Sequence, residues 1–216
     1  MFGYLCLIFA GNWSVTFGVV MSKKDTYKPL EAWRIISNPK TGIIPSILLS
    51  NPKFANNVGM VTRLASCYDI RQVWFTGSRV AEDVEKHGRI PREERMKGYE
   101  KVDLIHSDRP FDFFKGATPV AVEVRENAEP LHMFEHPENP VYVFGQEDGS
   151  IPQSLLRHCH RFVIIPTNHC LNLATAVSTL LWDRKLKSYL NGETDITSFV
   201  TPGEVENRGF PVIYTG

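Results

Sequence analysis

The sequence predicts an α/β fold, a parallel sheet with helices on both faces, and three observations carry that expectation. Apolar runs of strand length recur along the chain, stretches with helical apolar spacing separate several of them, and the runs tend to close on Gly, Pro or Asn. Strands that alternate with helices are joined by crossovers. Neighbouring strands are then parallel, and both faces of the sheet are buried.

The elements follow in order. Ile43-Ile44-Pro45-Ser46-Ile47-Leu48-Leu49 reads as a buried strand, ending in the loop Ser50-Asn51-Pro52-Lys53. A helix is expected from near Asn57, because Val58, Val61, Leu64, Ala65 and Tyr68 recur on one face. Gln72 to Thr76 is the next strand, closed by Gly77. Residues 79 to 101 are charged and read as helix or loop, and Val102 to Ile105 as a short strand. Pro119 to Val124 and Val141 to Phe144 are further strands, the second running straight into Gly145. Leu155 to His158 reads as a short helix, Phe162 to Ile165 as a strand, and Leu173 to Leu190 as a long C-terminal helix.

The chain has 216 residues, of which 43% are apolar and 22% charged, so it is globular rather than disordered or fibrous. The expected organisation is a leader (1–20), an extension (21–41), one domain (42–190) and a peripheral tail (191–216). Met1 to Val20 carries no charge, and a signal peptide would place positive charge ahead of its apolar stretch. The reading adopted is a mis-assigned start with translation from Met21, a peripheral segment or a membrane anchor being the alternatives. Lys+Arg and Asp+Glu both number 24, which excludes bulk electrostatic adhesion to nucleic acid or an anionic membrane. Any nucleic-acid contact then needs a local patch. Lys86, Arg89, Arg92, Arg95 and Lys97 against Glu93 and Glu94 offer one, although a solvated helix is the commoner explanation. The four cysteines lie far apart, so neither a disulfide framework nor a metal site is indicated and a cytoplasmic location is expected.

Ligands of open α/β sheets bind beyond the carboxyl ends of the strands. Three strand ends here are unusually polar. The first carries Asn57, Gly59 and, nearly two turns on, Arg63, which is either a buried ion-pair partner or a site residue. The second is Gly145-Gln146-Glu147-Asp148-Gly149-Ser150, where two glycines bracket two carboxylates. The third runs from Ile165-Pro166 to Cys170-Leu171-Asn172. Singly these read as a helix cap, a tight turn and another cap. No G-x-G-x-x-G, phosphate loop or G-x-S-x-G elbow accompanies them, which disfavours nucleotide-binding Rossmann enzymes, P-loop NTPases and serine hydrolases.

Together the three segments resemble the SpoU/TrmH family of 2′-O-ribose methyltransferases, of the SPOUT class, over about residues 43 to 190. Asn57-Val58-Gly59 with Arg63 resembles the family's first motif, Phe144-Gly145-Gln146-Glu147-Asp148-Gly149 its second, and Ile165-Pro166 with Cys170-Leu171-Asn172 its third. The resemblance implies a C-terminal deep trefoil knot, S-adenosylmethionine as cofactor near Val122, Gly145, Ile165 and Leu171, and a homodimer with the active site at the subunit interface. It implies methyl transfer to a ribose 2′-hydroxyl of tRNA or rRNA by Arg63, Asn57, Glu147 and Asn172, with Glu147 orienting Arg63 or Asn57, and no metal or membrane. Cys170 stands where many members carry Ser. A non-catalytic SPOUT-like RNA-binding module and a base-nitrogen methyltransferase are the alternatives.

Overall fold

A computed structural model describes residues 35–37, 39–87 and 101–193. The leader, residues 21–34 of the extension, the basic stretch from Arg89 to Lys97 and tail residues 194–216 lie outside the described residues. Eight described strands form one sheet: β1 (Ile35–Ile36), β2 (Ser46–Leu49), β3 (Gln72–Phe75), β4 (Asp103–His106), β5 (Thr118–Val122), β6 (Glu129–Pro130), β7 (Pro140–Phe144) and β8 (Arg161–Ile164). Their order is β1-β4-β3-β2-β7-β5-β8-β6, and every pairing is parallel. The two outer strands β1 and β6 have two residues each, too short to leave an apolar signature in the sequence. Pro119, inside β5, precedes that strand's first pairing with β8 at Val120, so its missing N–H breaks no recorded rung there.

Residue alternation along the strands divides the core in two. Ile47, Leu49, Val73, Phe75, Val120, Tyr142, Phe144 and Val163 point to one face, and Leu48, Trp74, Ile105, Ala121, Val141 and Val143 to the other. The first face is covered by α1 (Ala55–Cys67), α2 (Arg79–His87) and α4 (Leu173–Leu190). The second is covered by α3 (Gln153–Leu156) and by Phe113 and Phe114, both of which pack against the Trp74 ring. Burial on both faces accounts for strands that read as continuous apolar runs.

Helix α1 begins two residues earlier than its periodicity indicates, and it stops by a specific device. Asp69 takes a left-handed backbone (φ 57), letting the Ile70 N–H reach the Ala65 carbonyl at 2.9 Å while Tyr68 N–H bonds to Leu64 and Ala65. This is a Schellman termination, with Asp where Gly is more usual. Helix α4 buries Leu173, Ala174, Val177, Leu180 and Leu181 and packs on α1.

At the opposite end of the sheet from the polar strand ends, α4 is tied down by charge. Lys187 Nζ donates to Asp183 at 2.6 Å and to the carbonyls of Leu131 and Phe134, and His136 bridges Tyr142 Oη (2.7 Å) and Asp183 Oδ2 (2.9 Å). Burial depresses the His136 imidazole, partly opposed by Asp183, with Lys187 and Arg184 adding to the depression. The folded protein therefore binds this proton less readily than the unfolded chain, and folding stability falls as pH drops. Thermal midpoints should be level above the ordinary histidine value and decline as pH falls through the depressed one. His136→Gln should flatten that decline, as measured by differential scanning fluorimetry across pH.

Candidate functional site

The three polar strand ends converge on one hydrogen-bonded chain. Glu147, after β7, takes the Lys53 backbone N–H on one carboxylate oxygen and the Asn57 side-chain amide on the other, both at 2.7 Å. Asn57 Oδ1 in turn accepts from Asn172 Nδ2 at 3.1 Å. Asn172 Oδ1 caps α4, receiving the N–H groups of Ala174 (2.9 Å) and Thr175 (3.4 Å). One carboxylate and two amides thus clamp the loops after β2, β7 and β8 across sequence separations of 90 and 115 residues.

The cap readings split. Asn172 is an N-cap as well as a link of the clamp. Asn57 caps nothing: the N-cap position of α1 is Phe54, without a side-chain hydrogen bond, and Asn57 lies buried inside the first turn. Both ends of its amide are committed to other loops, so burial costs it little.

Glu147 orients Asn57, not Arg63. Arg63 is exposed on the outer stripe of α1 with Met60 and Cys67, so of its two readings the buried ion-pair partner does not hold. Its helix turns Arg63 away from the face that packs on the sheet, where Val58, Val61 and Ala65 lie.

Beside the clamp lies a cavity of about 440 Å³ lined by Val122, Gly145, Ile165 and Leu171, the four positions expected to hold a cofactor, together with Glu147 and Cys170. They come from the ends of β5, β7 and β8 and from the loop leading into α4. That volume lies within the range of small-molecule sites, and the lining has the usual pattern of apolar walls with a few polar groups. Gly145 lets the chain pass close: a Cβ there would stand 3.3 Å from the Gly149 carbonyl oxygen. Asn57, Arg63 and Asn172 are not among the lining residues; the first and third hold its walls through Glu147 and the α4 cap.

Sequence reasoning missed Glu123. It lines the same cavity, with Oε2 accepting the Ile151 N–H at 2.9 Å and Oε1 the Val124 N–H at 3.1 Å. The signal is a carboxylate inside the apolar run Pro119 to Val124, whose pattern indicates strand throughout. β5 in fact ends at Val122, and Glu123 begins the loop. The sequence does not reveal that Lys53, Arg79 and Asp148 meet. Asp148 receives both terminal nitrogens of Arg79 (2.9 and 3.4 Å) and Lys53 Nζ at 3.3 Å, and the two cations hold its carboxyl below its ordinary value.

Comparison with known proteins decides the kinship. Residues 45–182 match the SpoU rRNA Methylase family. The chain belongs to that family. The match covers all three motifs, and the parallel sheet is the fold of solved SpoU-type RNA methyltransferases. The A. aeolicus TrmH/SpoU tRNA modifying enzyme superposes with a TM-score of 0.58 at 14% identity, over 75% of this chain and 83% of that one. AviRb from Streptomyces viridochromogenes, solved in complex with AdoMet, gives 0.53 at 15% over 72% and 61%. The rRNA methyltransferase from Sinorhizobium meliloti gives 0.51 at 18% over 66% of this chain and 55% of its own. The SpoU-family chain thus spans little more than half the length of the last. No curated protein matched it by sequence.

Proposed function

We propose that the protein is an S-adenosylmethionine-dependent RNA methyltransferase that modifies a ribose 2′-hydroxyl of tRNA or rRNA. The observation that carries this reading is the Glu147–Asn57–Asn172 clamp, which draws the three motifs of the SpoU resemblance around one cavity at the strand ends. The AdoMet complex of AviRb, with the same fold, supports the cofactor.

Val122, Gly145, Ile165 and Leu171, which line the cavity, would hold the cofactor. When bound, S-adenosylmethionine supplies an electrophilic methyl group. A ribose hydroxyl is a weak nucleophile and must lose its proton as it attacks, so the protein has to stabilise a developing alkoxide. Arg63 serves as that stabiliser or grips the neighbouring phosphate, because a guanidinium keeps its proton and is poorly suited to act as base. Asn57 and Asn172 position the loops, and most of the remaining rate comes from orientation.

In this reading the protein is a homodimer. Arg63 lies on the outer face of α1, and Met60 there, with Trp182 and Leu186 of the adjoining α4, leaves large apolar side chains 42%, 56% and 38% exposed. A second copy covering this face, with Arg63 of one protomer serving the other's cavity, is the arrangement this reading calls for. The trefoil knot belongs to the same reading, tied among the loops after β5, β7 and β8 that line the cavity, and so does a cytoplasmic location. Incubation with methyl-labelled S-adenosylmethionine and bulk cellular RNA tests it. Label retained on the RNA is the expected result; cofactor binding without labelling would favour a non-catalytic module.

A further inference from the structure

Next to the clamp the chain breaks a local rule without a visible gain in stability. The residue before α1 is Phe54, in extended conformation (φ −115, ψ 121), where Ser, Thr, Asp or Asn would cap the orphan N–H groups. Phe54 is 51% exposed. Lys53 Nζ lies 5.4 Å from the ring centroid and also reaches Asp148 Oδ2 at 3.3 Å, and Arg79 pairs with both oxygens of that carboxylate. Glu147, bound to the Lys53 N–H, adds a second carboxylate, so the rim is balanced in charge and its cations reach a phosphate by exchanging partners. Both cationic side chains remain more than a third exposed, at 45% for Lys53 and 35% for Arg79.

The rim is held in place from several sides. Asn51 takes a left-handed backbone (φ 40) and donates its N–H to Thr76 Oγ1 at 3.0 Å, fixing the turn out of β2. The Lys53 N–H is held by Glu147, and the Phe54 carbonyl accepts the Asn57 N–H at 3.1 Å. An exposed aromatic ring is therefore anchored one helical turn from Asn57, with Lys53 beside it and Arg79 joined to Lys53 through Asp148. Aromatic faces beside basic groups are how proteins hold single-stranded nucleic acid: bases stack on the ring while cations track phosphates. Local choices that break propensity rules tend to mark functional positions.

We propose that Phe54, Lys53 and Arg79 form a nucleotide-gripping ledge, on which Phe54 stacks an unpaired RNA base and the two cations bind flanking phosphates. Asp148 holds the cations in place and competes with the phosphates for them. The ledge rests on the RNA reading given above and extends it to substrate in which the bases beside the methylated nucleotide are unstacked.

Equilibrium binding of a short mixed-sequence single-stranded RNA and of bulk transfer RNA, measured across salt concentrations, tests the ledge. Methyl transfer is followed in parallel samples. Phe54→Ala should weaken RNA binding by about tenfold, and Phe54→Trp should restore it. Lys53→Gln and Arg79→Gln should each reduce the slope of log K against log salt by about one. Asp148→Asn should tighten binding and steepen that slope, whereas a purely structural Asp148 would weaken it when lost. Affinity for S-adenosylmethionine reports that each variant is folded. RNA binding and salt slopes equal to wild type in Phe54→Ala, Lys53→Gln and Arg79→Gln would overturn the ledge, whether or not methyl is transferred. A wild type that binds RNA through this ledge but transfers no methyl group would overturn only the methyltransferase reading.

Discussion

Replacing Arg63 by alanine should reduce methyl transfer to RNA by about 10²- to 10³-fold while leaving the protein as stable as wild type. The first half follows from chemistry. A preorganised cationic donor aimed at a developing oxyanion contributes about 3–4 kcal/mol to the barrier, which that range of rates corresponds to. The second half follows from position. Arg63 is exposed on α1, and what holds that helix in place is the packing of Val58, Val61 and Ala65 together with the Asp69 termination. Surface substitutions away from such features usually stay within about 0.5 kcal/mol. Single-turnover methyl transfer with saturating RNA and cofactor, alongside thermal melts, separates the two. Equal rates in Arg63→Ala and wild type would remove Arg63 from the mechanism. A large loss of stability would show that the residue is structural.

Asn57→Ala should fail differently, in stability and activity together. Its amide is the middle link of the clamp, 2.7 Å from Glu147 and 3.1 Å from Asn172. Truncation removes a hydrogen bond to a partly buried carboxylate and leaves the Asn172 amide without its acceptor, for a loss of about 2–4 kcal/mol. With the loops after β2, β7 and β8 no longer joined, cofactor affinity should fall as well. Asn57→Asp should be worse at neutral pH, because it sets a second carboxylate against Glu147. Like charges at that distance raise the pair's proton affinity in the folded state, so this variant should recover stability as pH falls. Urea titrations of both variants at acidic and mildly alkaline pH read this directly. Non-additive losses in Asn57→Ala combined with Asn172→Ala would show that the two act as one unit.

The sheet was legible in the sequence because its strands are buried on both faces. Continuous runs such as Gln72 to Phe75 and Val141 to Phe144 carry that burial openly, and Leu173 to Leu190 is the helix its pattern indicates. The two-residue strands β1 and β6 left no such trace, since so few residues show no period. Boundaries slipped where turn geometry rather than apolarity sets them, as at Glu123, which looks like strand interior but turns its carboxylate to the Ile151 and Val124 N–H groups.

In the site, residue types at three strand ends were readable, and the family resemblance pointed to four positions that line the cavity. What each side chain holds was not. Asn57 looked like a cap because Asn is a common cap, and only a partner 90 residues away reveals its other use. Phe54 and Lys53 looked like ordinary loop residues, since exposure and neighbourhood are properties of the fold.

The central claim is that the clamp and its cavity serve methyl transfer to a ribose hydroxyl. Alkaline hydrolysis of RNA labelled by the protein with methyl-labelled S-adenosylmethionine tests it most directly, because cleavage at each phosphodiester needs the free 2′-hydroxyl beside it. A 2′-O-methyl group therefore leaves the label in an uncleaved dinucleotide, and this is the expected result. Label released in mononucleotides would place the methyl on a base and contradict the ribose assignment.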